Sequence, residues 1–322
     1  MQILEAYCEE LGETIDIYAA QRAYFAQPAA SRRRFTFRCS DEACRRERNP
    51  LVSGVGYHQL AEEGEKFRQI HFRAPPGHPH LPTCPWVRAD EEERVRADAE
   101  PDGGRRERAK ATNVIDVFAP RRAEAPPRPA AGQSATAVDA GAGGPAEATG
   151  DGRPRGPRTG QSRTSLLEKF IDCWAQFEGD ALKEQYVTIE GQRLSYRQAV
   201  TQVRWIGPDT NGRRIVYGGA RIAPWPAAQP KRLYINFLDE CEGLPEHEGK
   251  RTLTIDLPLA RIDDYAGGGL LASRLAEGRS GKNYVRVFAW GTIEAVASKP
   301  GYRLALESLD NLVVKVIAKT AT

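Results

Sequence analysis

Apolar residues recur at helical spacing between residues 165 and 177. The spacing of three or four positions predicts an amphipathic helix with Thr164 or Ser165 as its N-cap. Its apolar face consists of Leu166, Leu167, Phe170, Ile171 and Trp174. A short strand is predicted at residues 187–191. A second helix is predicted at residues 194–205, with the inward positions Leu194, Ala199 and Val203.

Beyond residue 213 the pattern changes to the two-residue period of strands. Five strands are predicted, at residues 214–222, 232–238, 252–257, 284–296 and 302–317. Between the third and fourth, Leu270, Leu271 and Leu275 predict a helix within residues 263–278. This is the element order of the OB-fold, a partly open five-stranded barrel, and Gly291 suits the sharp bend of such a barrel. A generic antiparallel sheet capped by a helix is the alternative.

The N-terminal third alternates only in part, and residues 13–26 and 33–39 are predicted to form short strands. Residues 88–108 mix charges, and residues 121–163 consist largely of Ala, Pro, Gly, Ser and Arg. Both segments are predicted to be disordered because they bury too little apolar surface to offset the entropy of ordering. Between them, residues 113–120 form an apolar island that is expected to order only against a partner or a domain. The sequence therefore predicts an α+β protein with an N-terminal module (1–87), a linker (88–163) and a β-rich OB-like domain (164–322).

Composition narrows the functional classes. The formal net charge of +3 permits a polyanionic partner without requiring one. No apolar run reaches 18 residues and the N-terminus is acidic, so neither a membrane span nor a secretory signal is predicted. Six cysteines are too few for a disulfide scaffold of this length, which favours a cytoplasmic location and metal binding by clustered thiols. The bias towards Arg, Ala, Gly and Pro is typical of a GC-rich bacterial genome.

The clearest chemical motif is a pair of cysteines, Cys39 and Cys44, followed by His80 and Cys84. Zinc prefers four thiolate or imidazole ligands in a tetrahedron. Three cysteines and four histidines fall within residues 39–84, which favours a Zn²⁺ site over a chance grouping. The nitrogen ligand is His80 or, as an alternative, His71. Four protein ligands leave no open position, so the predicted site is structural.

The order of these motifs resembles the zinc-finger-like N-terminal segment of CoiA-type competence proteins. The resemblance covers residues 35–86: a strand, C-x4-C, His71-Phe72-Arg73, and H-x3-C-P-W. It implies the ligand set Cys39, Cys44, His80 and Cys84, and it implies contact with DNA. Those competence proteins carry a nuclease-like domain, but here no strand-borne Asp is followed by Glu-x-Lys. Nuclease activity is therefore not expected.

Alternation also predicts which residues share a strand face. In residues 232–238 the apolar positions leave Arg232, Tyr234 and Asn236 on the opposite face. In the fourth strand, Val285 and Val287 face the core and leave Tyr284, Arg286, Phe288 and Trp290 opposite. Aromatic rings interleaved with arginine bind single-stranded nucleic acid by stacking bases and neutralising phosphate. The candidate nucleic-acid-binding residues are Arg232, Tyr234, Arg286, Phe288 and Trp290. Alternatively, Phe288 and Trp290 pack beneath the helix at residues 165–177 as a second core.

Catalytic signatures are absent from the sequence. No phosphate-binding loop and no nucleophile elbow occur. Cys241 and His247 lie in an acidic loop, which is expected to raise the pKa of the thiol. A non-enzymatic protein that binds single-stranded DNA or RNA is therefore expected, in a mobile-element, DNA-uptake or defence context. The alternative is a protein-interaction adaptor in which the zinc module and the β-domain both bind proteins.

Overall fold

The computed structural model describes residues 2–62, 70–98, 114–122, 163–210, 214–296 and 300–318. The strands before residue 163 are β1 (Gln2–Ile3), β2 (Glu5–Cys8), β3 (Glu13–Asp16), β4 (Phe37–Cys39), β5 (Leu51–Val55), β6 (Ala61–Glu62), β7 (His71–Arg73) and β8 (Val117–Phe118). Those that follow are β9 (Arg163–Thr164), β10 (Tyr186–Ile189), β11 (Gln192–Ser195), β12 (Val200–Gln202), β13 (Ile215–Trp225), β14 (Arg232–Glu240), β15 (Thr252–Pro258), β16 (Asn283–Ala289), β17 (Thr292–Ala295), β18 (Tyr302–Ala305) and β19 (Leu312–Ala318).

Among the described residues, helices are fewer than strands and mostly short. They are α1 (Ile17–Ala26), α2 (Glu42–Glu47), α3 (Pro85–Asp98), α4 (Leu167–Trp174), α5 (Ala181–Glu184), α6 (Tyr196–Ala199), α7 (Leu259–Asp263) and α8 (Gly268–Arg279), with one-turn 3-10 helices at Val203–Trp205, Pro208–Thr210 and Leu309–Asn311. The chain is therefore α+β with strands dominant. Within the part of the chain that is described, no helix is both long and apolar enough to cross a membrane.

The N-terminal part is a six-stranded sheet in the order β1-β7-β5-β4-β2-β3, and α1 begins directly after the edge strand β3. The strand predicted for residues 13–26 is correct only as far as Asp16. There the Asp16 carboxylate accepts a hydrogen bond from the Ala19 amide at 2.8 Å and caps a helix instead. The predicted alternation failed because Ile17, Ala20 and Phe25 are buried at helical spacing.

The first three predicted C-terminal strands form as β13, β14 and β15, whereas the fourth and the fifth are each broken in two, as β16 and β17 and as β18 and β19. β13 pairs with β14, β14 with β15, and β15 with β18 in parallel. The fourth predicted strand is split into β16 and β17. Its first piece, β16, pairs with β13 and β19, and its second piece, β17, pairs with β18. The strands of this sheet follow the order β17-β18-β15-β14-β13-β16-β19-β6, and β12 pairs with β13 off this path. A Cβ at Gly291, between β16 and β17, would lie 2.2 Å from the Ala305 carbonyl at the end of β18, so only glycine permits this close backbone approach.

One face of this C-terminal sheet encloses the larger core. Leu233, Ile235 and Phe237 point into it, as alternation along β14 predicts. The helix predicted between the third and fourth strands is confirmed as α8, and its Leu271 and Leu275 pack in the same core. The core therefore lies between the sheet and α8.

A smaller core covers part of the opposite sheet face. The helix predicted at residues 165–177 forms as α4. The apolar island orders against this domain, because β8 pairs in parallel with β10 and the Ile115 amide donates to the Tyr196 hydroxyl at 2.8 Å. The predicted helix at residues 194–205 is wrong. Ser195 and Gln198 form a capping box for the single turn α6, after which β-branched Val200 pairs in extended conformation with Ile215.

The predicted linker begins too early. α3 extends to Asp98, so residues 88–98 are helical instead of disordered. Pro85 stands at the first helical position and buried Trp86 anchors the helix, while Ala, Glu and Arg in the charged segment all favour helix. The charge argument overlooked this propensity. The rest of the predicted linker, residues 99–113 and 123–162, lies outside the described residues.

The N-terminal part contacts the C-terminal part through α1. The Tyr18 hydroxyl donates to the Asp172 carboxylate at 3.0 Å. A Cβ at Gly269 in α8 would lie 2.4 Å from the Phe25 carbonyl, which marks the close approach of the two helices. β6 also pairs in parallel with β19. No pattern in the sequence indicates these contacts.

Four buried charged side chains lie next to α1, where the Tyr18 hydroxyl contacts Asp172. We call this group the ionic cluster: Glu168, Asp172, Arg274 and Lys315. Lys315 Nζ lies 3.2 Å from Glu168 Oε1 and 2.8 Å from Asp172 Oδ1, and Arg274 Nη2 lies 2.6 Å from Glu168 Oε1. The two carboxylates balance the two cations. Burial raises the pKa of Glu168, but the Arg274 guanidinium and the Lys315 ammonium prevail and hold it at about 2.

Candidate functional site

Four buried side chains that are far apart in sequence form one compact group, the Cys3His cluster: Cys39, Cys44, His80 and Cys84. Their candidate ligand atoms all lie within 4.8 Å of one another. Cys39 Sγ is 3.7 Å from Cys84 Sγ, and His80 Nδ1 is 3.7 Å from Cys44 Sγ and 3.5 Å from Cys84 Sγ. Tetrahedral zinc with its usual bond lengths separates two sulfurs by about 3.8 Å and a sulfur from a nitrogen by about 3.6 Å. The cluster therefore has the dimensions to bind one metal ion.

Local structure aims the two cysteine-bearing loops at the same point. Cys39 ends β4, and the Asp41 carboxylate accepts from the Cys44 amide at 2.7 Å to start α2. Cys84 directly precedes α3, and its carbonyl accepts from the Arg88 amide at 3.1 Å. Two of the three sulfurs thus lie at helix N-termini, where the helix dipole favours thiolates.

Hydrogen bonds join the two halves of the cluster. The Leu81 amide donates to Cys44 Sγ at 3.3 Å, and the Trp86 indole donates to the Ser40 hydroxyl at 2.8 Å. The guanidinium of Arg48 donates to the His80 carbonyl at 3.3 Å. The two segments that carry the ligand atoms are therefore held together by hydrogen bonds as well as by any ion that the cluster binds.

The three thiols of the Cys3His cluster differ in pKa. The hydrogen bond between Cys39 and Cys84 lowers the pKa of Cys84 to about 4 and raises that of Cys39, while burial raises the pKa of Cys44. Three thiolates side by side in a buried volume would repel one another, which opposes the loss of the Cys39 and Cys44 protons. A divalent cation is the partner that relieves this repulsion.

The cluster contains His80 and not the alternative His71. His71 is exposed on β7 and lies outside the group of four, as does exposed His78. His80 directs Nδ1 at the sulfurs, whereas its buried Nε2 has no hydrogen-bond partner within the described residues. His80 is therefore the nitrogen donor that the fold supplies.

Two of the predicted nucleic-acid-binding residues belong to the core. Phe288 is fully buried and Trp290 is 4 % exposed, both in the smaller core beneath α4. Tyr217 stacks on Phe288 at 5.6 Å between centroids, and Trp174 meets it edge-on at 6.0 Å. The prediction of a stacking surface is corrected for these two rings, because packing against α4 removes both from solvent. This is the packing that the sequence left as an alternative.

The other three predicted residues lie on the part of the same sheet face that α4 leaves uncovered. Residues that pair across strands point to the same face, and the pairs Gly219–Arg286, Ala223–Tyr234 and Trp225–Arg232 connect β16, β13 and β14. Tyr284 precedes Arg286 by two residues and is 63 % exposed. We call this surface the open face: Arg221, Trp225, Arg232, Tyr234, Tyr284 and Arg286.

Sequence reasoning missed Arg221 and Trp225. Arg221 lay within the predicted strand at residues 214–222, but the faces of that strand were not assigned. Trp225 lay beyond its predicted end, whereas β13 continues to Trp225. Pro224 obscured this continuation, since proline is rare inside strands. The two-residue period through Arg221, Ala223 and Trp225 is the signal that extends the strand.

The open face carries more positive than negative charge. Arg232 Nη1 contacts Asp256 Oδ2 at 2.7 Å, and Arg221 and Arg286 are exposed. The pKa of Arg232 is raised by its hydrogen bond with Tyr234 and by the nearby Asp256 carboxylate. The guanidinium therefore stays cationic at any physiological pH.

The Cys241 thiol does not form a nucleophilic pair with His247. Cys241 is buried in the larger core, and burial raises its pKa to about 12. His247 Nε2 lies 3.0 Å from the Val296 carbonyl. The thiol is therefore protonated at neutral pH, as the acidic loop predicts.

Comparison of the chain with protein-family models, with curated proteins and with solved structures returned no match.

Proposed function

We propose that the Cys3His cluster binds a structural zinc ion. The observation that supports this is the close grouping of its four buried ligand atoms, which all lie within 4.8 Å of one another, with three of the separations at 3.5–3.7 Å. Three thiolates and one imidazole are a common structural zinc set, and four protein ligands leave no position for water or substrate. The ion stabilises the N-terminal part and performs no chemistry.

Elemental analysis of protein purified without chelator tests the zinc assignment. We expect about one zinc per chain, because the cluster supplies one complete tetrahedron. Absence of metal would overturn the proposal. A stoichiometric iron content would overturn the assignment of zinc while leaving the ligand set intact.

We further propose that the C-terminal domain binds single-stranded nucleic acid at the open face, without catalysis. The supporting observation is that the predicted residues Arg232, Tyr234 and Arg286 share one exposed sheet face with Tyr284. Aromatic rings stack on bases of any identity, and arginine neutralises phosphate and adds cation–π contact. The excess of arginine over carboxylate on this face complements a polyanion.

The strand pairings favour an OB-like barrel as the scaffold. This proposal is supported by the pairing order first, second, third, fifth, fourth, by the pairing of the fourth strand with the first through β16, and by α8 between the third and fourth strands, all of which agree with a Greek-key OB barrel. OB-folds bind oligonucleotides on the face of their second and third strands. In this chain the second strand, β14, carries Arg232 and Tyr234 of the open face.

Fluorescence anisotropy with single- and double-stranded DNA and RNA tests this function. The full chain is the proper test object because α1 packs on α8. We expect single strands to bind more tightly than duplexes, with affinity that falls as salt rises. Arg286→Gln should lower the logarithmic salt slope by about 0.7, whereas Arg46→Gln in α2 should leave it unchanged.

Absence of oligonucleotide binding at low salt would overturn the proposal. Binding that ignores salt, or that Arg286→Gln and Arg46→Gln weaken equally, would also contradict it. Either result would leave the protein-interaction adaptor as the better account of the open face.

A further inference from the structure

We infer that the end of β13 forms one end of the nucleic-acid path, with Trp225 as a base-stacking residue and Arg221 as a phosphate contact. This inference rests on the proposed function of the open face. Trp225 is 59 % exposed although tryptophan is usually well buried. Its strand neighbour in register is Arg232, so an indole and a guanidinium stand side by side at the edge of the face.

The aromatic residues of the open face lie on three neighbouring strands. Tyr284 is on β16, Trp225 on β13 and Tyr234 on β14. Strands lie about 4.8 Å apart and rise about 3.3 Å per residue, so neighbouring rings in this set are separated by roughly 8–12 Å. Each ring therefore has room for its own base. Such spacing suits bases that are unstacked from one another.

The arginines alternate with these rings. Arg286 lies two residues from Tyr284, Arg221 pairs with Asn236 between Tyr284 and Tyr234, and Arg232 pairs with Trp225. A backbone that carries bases onto three rings passes a guanidinium at each step. In a duplex the bases stay paired and stacked, and their faces cannot reach the rings. The ligand class is therefore a single strand.

The path is bounded on one side. Phe288 and Trp290 continue the row of Tyr284 and Arg286 along the same sheet face, but α4 covers them. A strand must therefore turn across β13 towards Trp225 instead of running along β16. We expect a short site of roughly four nucleotides, at the lower end of the range for one OB-fold.

Two exposed tryptophans make a matched test. Trp225 belongs to the open face, whereas Trp205 is 64 % exposed in the 3-10 helix Val203–Trp205 and is not one of the residues of that face. Full-length protein is titrated with oligothymidylate while intrinsic fluorescence and anisotropy are recorded. Trp225→Ala should lose about ten- to a hundredfold in affinity together with most of the fluorescence quenching. Trp205→Ala should change neither, and Trp225→Phe should restore part of the affinity.

The outcomes separate this inference from the function on which it rests. If the unmodified chain binds no oligothymidylate, the proposed function fails and the inference fails with it. If the chain binds but Trp225→Ala binds equally well with undiminished quenching, only the role of Trp225 is overturned. Equal thermal unfolding temperatures of the Trp225→Ala and Trp205→Ala variants check that a loss of affinity in Trp225→Ala does not reflect misfolding.

Discussion

At the scale of single residues, the choice between two histidines decides the chemistry of the N-terminal part. We predict that His80→Ala abolishes the retention of about one metal equivalent, since it removes one corner of the tetrahedron. His71→Ala is the control, because His71 is exposed and outside the Cys3His cluster. Metal content after dialysis measures the difference. Equal retention by both variants would mean that His80 is not a ligand.

Two residues on one face of β16 give a second prediction. Phe288→Ala should lower the free energy of unfolding by about 3–5 kcal/mol, because it empties space in a packed core. Tyr284→Ala should change it by no more than about 0.5 kcal/mol, because that ring is 63 % exposed. Urea unfolding of the two variants measures both effects. Similar losses would contradict the division of this face into a covered and an open part.

These residues also mark how far the sequence predicts the site. The ligand types and spacing identified Cys39, Cys44 and Cys84, and the cluster contains all three. Spacing could not separate His80 from His71, because both precede Cys84 by a span that a loop can bridge. Alternation assigned Tyr284 and Phe288 correctly to one face, but it is a local pattern. It carries no information about where α4, more than a hundred residues earlier, would cover that face.

At the scale of elements, the ionic cluster joins α4, α8 and β19. We predict that Glu168→Gln destabilises the protein by about 3–5 kcal/mol at neutral pH, because Arg274 and Lys315 lose a buried charged partner. The folded-state pKa of Glu168, about 2, lies below its ordinary 4.5. Its contribution is therefore present above about pH 4.5 and is lost as pH falls towards 2.

The measurement for this prediction is urea unfolding of both proteins between neutral and acidic pH. The gap between the unmodified chain and Glu168→Gln should narrow below about pH 4.5, since the carboxyl of the unmodified chain then becomes neutral as well. Exposed Glu184→Gln in α5 is the matched control and should leave stability unchanged across the range. A gap that is independent of pH would show that shape, and not charge, is what Glu168 contributes.

Helices and strands were predictable from the sequence where a single hydrophobic period, helical or extended, ran through the whole segment. The first three C-terminal strands and α8 have long runs of a single hydrophobic period and sizeable apolar faces, and they formed close to their predicted bounds. The fourth and fifth predicted strands formed only in two pieces each, because the chain bends within both. Residues 13–26 and 194–205 each combine a helical turn with a strand. There a local cap, Asp16 in the first and Ser195 in the second, decides where the helical turn begins. A stretch of sequence long enough to reveal a hydrophobic period spans such a boundary, so the helical and the extended patterns on its two sides are averaged together.

At the scale of the whole molecule, the N-terminal part contacts the C-terminal part through β6 and α1. β6 adds a parallel strand to β19, and the Tyr18 hydroxyl reaches the ionic cluster through Asp172. α1 approaches α8 so closely that Gly269 has no room for a side chain. Loss of order in the N-terminal part therefore exposes groups that the C-terminal part buries, among them the charges of the ionic cluster.

This contact leads to the last prediction. Removing the metal with a chelator should increase amide hydrogen exchange not only around Cys39 and Cys84 but also in β19 and α8, because α1 and β6 lose their anchorage. The open face at Trp225 should change least, since α1 does not cover it. Gly269→Ala should increase exchange in α8 even with metal bound, because a Cβ there meets the Phe25 carbonyl at 2.4 Å. Gly207→Ala is the control, because its nearest neighbour lies at 3.5 Å. Exchange in β19 that stays the same with and without metal would mean that the two sheets unfold independently.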